Sequence, residues 1–197
     1  MHYCASNEED NKLHQAFHKQ HTKGLRFNAT SDCVRVGCHE RFIEEKQLVM
    51  TKDGLKKRKT RVEYPIYKIP ANHKQIPELL SQLKQLMNSD DKVAAKDVYI
   101  CIHEREVIGV LVTEAIECSY RARMSQFDVI EIIPGTKTPS EIGISRIWVR
   151  EAYRREGIAT SMLKLFDLNR IAFSQITRDD FKLASKLQGD SNVRVYI

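Results

Sequence analysis

Residues 143–160, GISRIWVREAYRREGIAT, constrain this chain more than any other stretch. Ile144 to Val149 is a short apolar run of branched and aromatic side chains, which reads as a buried strand within Ile142–Val149. Arg150 to Glu156 is a polar turn, and Gly157, Ile158, Ala159 and Thr160 then open a helical pattern. That pattern predicts a helix over 157–168 that buries Ile158, Met162, Leu165 and Phe166. A strand, a basic glycine-containing turn and a helix start together form an anion-binding arrangement. The first helical turn offers unpaired N–H groups, and the peptide dipole favours negative charge there. Arg154 and Arg155 add fixed positive charge, and Gly157 lets backbone approach a ligand closely. Small residues at a helix start also serve plain packing, so the turn alone leaves both readings open.

The rest of the chain supplies the elements such a turn needs. Ile76 to Asn88 carries Ile76, Leu79, Leu80, Leu83, Leu86 and Met87 at helical spacing, with Pro77 in the first turn. Asp97 to His103 and Val107 to Glu114 read as a hairpin whose second strand is apolar on both faces, hence central in its sheet. Arg61 to Ile69 alternates loosely around Pro65 and predicts an edge or bulged strand. Glu117 to Pro139 has the composition of a loop on the substrate side, with strand character around Val129 to Ile133. Ile171 to Ser174, Phe181 to Leu187 and Val193 to Ile197 read as strand, helix and strand.

The amino-terminal third is less regular. Glu8 to His21 reads as a short helix, with Leu13 and Phe17 on one face and His14 and His18 on the next. The H-x3-H spacing suits two imidazoles on one zinc, but a structural site also needs two thiolates, and Cys4 is a single thiol. Cys33 and Cys38 follow the histidines in the wrong order, so solvent-facing histidines are the better reading. Residues 26–60 read as a linker, with a short strand at Val34 to Val36, mixed character from Glu40 to Met50 and a turn signal at Lys52-Asp53-Gly54. Lys56 to Lys59 and Arg61 form a basic cluster, read as a solvated loop ahead of a nuclear-localisation or DNA contact.

A chain of 197 residues with 42% hydrophobic content suits one core with an appendage. The net charge of +6 and pI near 9.0 allow an acidic partner without demanding one, so direct nucleic-acid binding stays open. Five cysteines at irregular spacing argue against a disulfide framework. No apolar run approaches the ~20 residues that cross a bilayer, and the polar start from Ser6 to Lys12 is unlike a signal peptide.

Arg154-x-x-Gly157-x-Ala159 matches the R/Q-x-x-G-x-G/A signature of the GCN5-related N-acetyltransferases, which holds the pyrophosphate of acetyl-CoA. GISRIWV, the basic turn and G-I-A-T resemble one branch of them, the establishment-of-cohesion (Eco/ESCO) acetyltransferases. Ala172-Phe173-Ser174-Gln175, Lys182 to Lys186 and the terminal Val195-Tyr196-Ile197 resemble that family's carboxy terminus. Ala5-Ser6-Asn7 with His14 to His18 resembles the tail of its zinc finger, whose Cys pair would lie just before Met1.

The resemblance implies an α/β fold: a GCN5-related acetyltransferase mixed sheet with flanking helices over 61–197, preceded by a truncated C2H2-type zinc-finger remnant over 1–25. It implies acetyl-CoA as cofactor, with Ile147, Trp148 and Val149 along the pantetheine arm and Arg155, Glu156, Gly157, Ile158, Ala159 and Thr160 at the pyrophosphate. Zinc belongs to the family through His14 and His18, and stable binding by this chain is not expected. Transfer to a lysine needs a proton acceptor, since the free amine has a pKa near ~10.4. It also needs a donor preset for the thioester oxygen. Ser145 matches a family residue near the reaction centre. Lys164 stands where the family carries an acidic residue, and Asp167, three residues on, is the candidate replacement. The link Leu168-Asn169-Arg170 is shorter than in relatives. Trp148 by alternation faces the core.

The implied role is acetylation of lysines on the ATPase head of a cohesin Smc subunit in the nucleus, with chromatin-associated replication factors as further partners. The alternatives are an acetyl-CoA-binding chromatin adaptor with weak or no catalysis, which Lys164 favours, and an acetyltransferase for another amine.

Overall fold

The computed structural model describes residues 25–51, 54–87, 95–174 and 176–197. Their strands form one ten-stranded sheet with the order β1-β2-β3-β4-β8-β9-β10-β5-β6, and β7 pairs β5 off this path. The strands are β1 Val34–Thr51, β2 Gly54–Pro70, β3 Asp97–His103, β4 Glu106–Ala115 and β5 Cys118–Met124. They continue as β6 Ile130–Ile132, β7 Thr138–Pro139, β8 Ile142–Val149, β9 Ile171–Phe173 and β10 Val193–Val195. The helices are α1 Ile76–Met87, α2 Ile158–Leu163 and α3 Arg178–Gln188, with a 3-10 turn at Glu151–Tyr153 before α2.

The sheet separates two cores, because successive side chains of a strand point to opposite faces. Val98, Ile100 and Ile102 of β3 join Val110 and Val112 of β4 and Ile76, Leu79 and Leu83 of α1 on one face. Tyr99 and Cys101 of β3, and Ile108 and Leu111 of β4, meet Ile158, Met162 and Leu163 of α2 and Phe181 and Ala184 of α3 on the other. A bulge at Ile108 sets this phase. Cys101 pairs with Gly109 and Ile102 with Val107, so Ile108 is the extra residue, and Val107 shares a face with Val110. Both faces of β3 and β4 are thus covered, as two-sided apolarity predicts for central strands.

Three expectations are corrected. Residues 34–51, expected within a linker, form β1, which pairs with β2 from Val34↔Lys68 to Thr51↔Gly54. Cross-strand pairing, not alternation within the segment, holds such a strand. β3 takes the other side of β2 only from Ile66 to Pro70, so the stretch around Pro65 pairs with β1 alone among the described residues and lies at an edge, as expected. Strand at Ile130–Ile132 falls where strand character was expected, and the stretch 117–139 is not loop throughout. It folds as β5, β6 and β7, and β5 joins the sheet through β10. Finally, the helix expected over 157–168 ends at Leu163, with Lys164 as its C-cap. The chain must return to start β9 parallel to β8 at Ile171, so residues 164–170 are spent on turns rather than on helix. The amino-terminal helix over 8–21 lies outside the described residues.

Candidate active site

The site begins with a bulge in β8. Val112 pairs with Arg146 and Thr113 with Ile144, so Ser145 is the extra residue between them. A bulge bends its strand and ends regular pairing, and such bulges recur beside active sites. Here β9 runs parallel to β8 only from Ile142↔Ile171 to Ile144↔Phe173. Past the bulge, Ser174 follows Ile144 with a last backbone bond of 3.0 Å, its Oγ donates to the Ser145 carbonyl at 3.2 Å, and the strands part. Residues 146–149 keep their ladder to β4 on one side, through Leu111↔Ile147, Val110↔Trp148 and Gly109↔Val149. Their other edge has no strand partner among the described residues. An edge of this kind is open to an extended ligand, by main-chain bonding. Ile147 and Val149 pack toward α2 and α3, and Trp148 packs partly buried on the α1 face, as alternation predicts.

The open edge leads into the basic turn. Tyr153 and Arg154 close the 3-10 turn by backbone bonds to Arg150 and Glu151, and Arg154 Nε donates to the Val149 carbonyl at 3.0 Å. Arg155 (φ 65°) and Gly157 (φ 92°) are both left-handed, which aims the chain back over the sheet. For Gly157 this conformation carries no side-chain penalty, and it serves as N-cap of α2. The turn rests on an aromatic cluster. Tyr64, 1% exposed, lies against Tyr153 and His103, with ring centres 6.0 and 4.9 Å away, and His103 Nδ1 is 2.9 Å from the Tyr153 hydroxyl. Burial raises the Tyr153 phenol and keeps it protonated. Ile158 is buried beneath the turn, while Ala159 and Thr160 are partly open, and the Arg155 guanidinium, 89% exposed, pairs with Asp179 at 3.6 Å. The first-turn amides of Ile158, Ala159 and Thr160, the absent side chain at Gly157 and two arginines fit a diphosphate.

The two catalytic candidates are not brought together. Ser145, 6% exposed, donates its hydroxyl to the Val112 carbonyl at 3.3 Å across to β4. Asp167, past the end of α2, accepts from the Asn169 N–H at 3.0 Å in a turn. It lines a cavity of about 400 Å³ with Ser140, Glu141, Ile142, Arg170 and Arg194, which Ser145 does not reach. Lys164 is exposed, so neither residue sits on a helical face turned to the strand. A different polar group flanks the bulge. The Tyr196 ring covers Gly143, and its hydroxyl donates to Glu114 Oε2 at 2.7 Å. Burial drives the Tyr196 phenol well above its usual range. His14 and His18 lie outside the described residues, and no group of three metal-ligating side chains occurs among the described ones.

Sequence reading missed the contribution of β1. His39, 7% exposed, puts Nδ1 2.9 Å from Ser161 Oγ on α2, and Arg41 pairs with Glu156 in the turn at 2.5 Å. Burial lowers the His39 imidazole below its ordinary value against the raising effect of Glu156, so it is neutral at physiological pH. The period-two spacing of His39 and Arg41 was the available signal, and it lay in a stretch without other strand character.

A mixed sheet whose parallel strands part at a bulge, with a basic glycine-containing turn where the first strand ends, is the fold of the GCN5-related acetyltransferase domains. Residues 138–196 match the family model described as ESCO1/2 acetyl-transferase. The chain is 25% identical to human N-acetyltransferase ESCO1 over 233 residues, an alignment that takes in 100% of this chain and 25% of the human protein. It is 29% identical to N-acetyltransferase ECO1 of Saccharomyces cerevisiae over 106 residues, covering 46% of this chain and 38% of the yeast protein. Two solved structures of the xEco2 acetyltransferase domain share its fold. One superposes with a TM-score of 0.60 at 21% identity over 81% of this chain and 96% of that one. The other, bound to a K105-CoA conjugate, gives 0.57 at 23% identity over 68% and 93%. By these matches the chain is similar to the establishment-of-cohesion N-acetyltransferases, and over residues 138–196 it matches their family model. It spans about a quarter of the length of the human relative.

Proposed function

We propose that the chain transfers acetyl from acetyl-CoA to lysine side chains of a cohesin Smc subunit in the nucleus. The observation that carries the reading is the parting of β8 and β9 at the Ser145 bulge, with the 154–160 turn at the end of the opened edge. The turn amides and Arg155 hold the diphosphate, and Gly157 gives it room. The free edge of Ile147 to Val149 offers main-chain groups to the pantetheine amides. When bound, acetyl-CoA supplies an activated acyl carbon beside the bulge. Main-chain N–H groups at the bulge would be the donors for the thioester oxygen. Tyr196 and Glu114 lie on the other flank of the bulge, where an acceptor amine can enter. The Smc substrate, the nuclear setting and replication-factor partners rest on the likeness to the establishment-of-cohesion acetyltransferases.

A second reading, an acetyl-CoA-binding adaptor with weak catalysis, is favoured by one observation: exposed Lys164 is the residue at the family's acidic position. One experiment separates the two. Acetyl transfer by the purified chain to a cohesin-head peptide is measured beside acetyl-CoA binding by calorimetry. Transfer supports the enzyme, whereas binding without transfer selects the adaptor. Gly157→Asp places a side chain in a left-handed position, 3.4 Å from the His39 ring, and a negative charge at the diphosphate. Affinity should fall by about tenfold or more, ~1.4 kcal/mol. An unchanged affinity in the folded variant would refute the site.

A further inference from the structure

Glu156 is out of place in an anion-binding turn. Its carboxylate sits between Arg155 and Gly157, where it would repel the diphosphate that the turn is built to accept. The structure ties it back. One oxygen is paired with Arg41 at 2.5 Å, and the other, Oε2, is buried without a hydrogen-bond partner. Only 17% of the Glu156 side chain is exposed. Its neighbour in this recess is His39, whose Nε2 is likewise buried while Nδ1 is fixed on Ser161.

These contacts come from one face of one strand. Gly37, His39 and Arg41 alternate along β1, so all three lie on the same side. A Cβ at Gly37 would come within 3.0 Å of the Leu165 side chain, His39 reaches Ser161 and approaches Gly157, and Arg41 reaches Glu156. The strand therefore lies along the turn and α2 like a strap. We propose that Arg41 and His39 are positioning residues of the cofactor turn, which draw the Glu156 carboxylate away from the diphosphate and so keep the turn able to accept an anion. Arg41 supplies the countercharge, and His39 fixes the floor of the recess through Ser161. Neither need touch the cofactor.

The proposal rests on the reading that residues 154–160 receive the acetyl-CoA diphosphate, and the test keeps the two apart. Acetyl-CoA affinity is measured by calorimetry for the wild type, Arg41→Ala, Glu156→Gln, the double variant and His39→Asn, with folding checked by thermal unfolding. Arg41 is 41% exposed at its side chain, so its truncation leaves the core intact. Released from Arg41, the carboxylate faces the diphosphate, and affinity should fall about tenfold. Glu156→Gln removes the charge, so the double variant should return to within about twofold of wild type, a rescue that lost packing would not give. His39→Asn, whose amide can reach Ser161 as Nδ1 does, should keep affinity. A tenfold loss that the Glu156→Gln change does not relieve, or no loss in Arg41→Ala, overturns the strap. A wild-type chain that binds no acetyl-CoA overturns instead the function from which the strap was argued.

Discussion

Gly143 shows how closely single residues are fitted around the bulge. A Cβ there would stand 2.6 and 2.7 Å from two atoms of the Tyr196 ring and 2.9 Å from Ile116. An aromatic ring in such contact cannot yield by a terminal rotation, so Gly143→Ala must displace the Tyr196 ring and break its bond to Glu114. Overpacking of this kind typically costs ~1–3 kcal/mol. Urea unfolding of the variant should show a loss in that range, and transfer should fall with it; a variant as stable as wild type would mean that Tyr196 is not seated on Gly143. Cys101 makes the opposite case, a reactive group silenced by its place. It is fully buried, donates to the Tyr64 carbonyl, and has its thiol pushed up to about 12 by burial.

At the scale of elements, α3 is the one whose sequence states its own boundaries. Thr177 is the N-cap, its hydroxyl accepting from the Asp180 N–H, while the Asp180 carboxylate accepts from the Thr177 N–H. Gly189, left-handed at φ 66°, closes the other end. Thr177→Ala should therefore cost about 1 kcal/mol, read as a shift of the denaturation midpoint at constant slope. No shift would show that α3 is held by Phe181 and Ala184 alone. α1 was legible nearly to its ends, because its apolar stripe repeats over three turns, whereas α3 was read only over Phe181 to Leu187, inside its bounds. α2 was not legible to its end. Its apolar spacing continues through Leu165 and Phe166, yet helix ends at Leu163. Phe166 instead packs edge-on against Tyr99, 5.1 Å between centres. Local periodicity found buried Ile158 and Met162, missed buried Leu163, and placed the partly buried Leu165 and Phe166 on a helix that does not reach them.

The whole molecule depends on a late strand. β10 pairs β9 on one side and β5 on the other, so it alone ties the β5–β6 unit to the main sheet among the described residues. Val193 is fully buried and Val195 is 6% exposed. Burial of such side chains is worth roughly 1.5–3 kcal/mol each, a large share of the ~5–15 kcal/mol that holds a domain together. A chain ending before Val193 should lose amide-exchange protection in residues 118–124 and become far less stable, whereas unchanged protection there would show that β5 is held by something other than β10.

The sequence alone determined the parts whose cause is local. The apolar run, basic turn and small-residue helix start at 143–160 specified a strand feeding an anion-binding turn, and two-sided apolarity placed β4 in the middle of its sheet. Tertiary structure decided what depends on partners distant in the chain. Arg41 and Glu156 are 115 positions apart, and His39 and Ser161 are 122 apart, so no window of sequence holds both members. The bulge at Ser145 exists only as a mismatch of register with β4, and the opened edge only because β9 ends at Phe173. Strand pairing is a property of two segments at once, and a segment such as residues 34–51 becomes a strand because β2 supplies its hydrogen bonds, not because its own side chains require it.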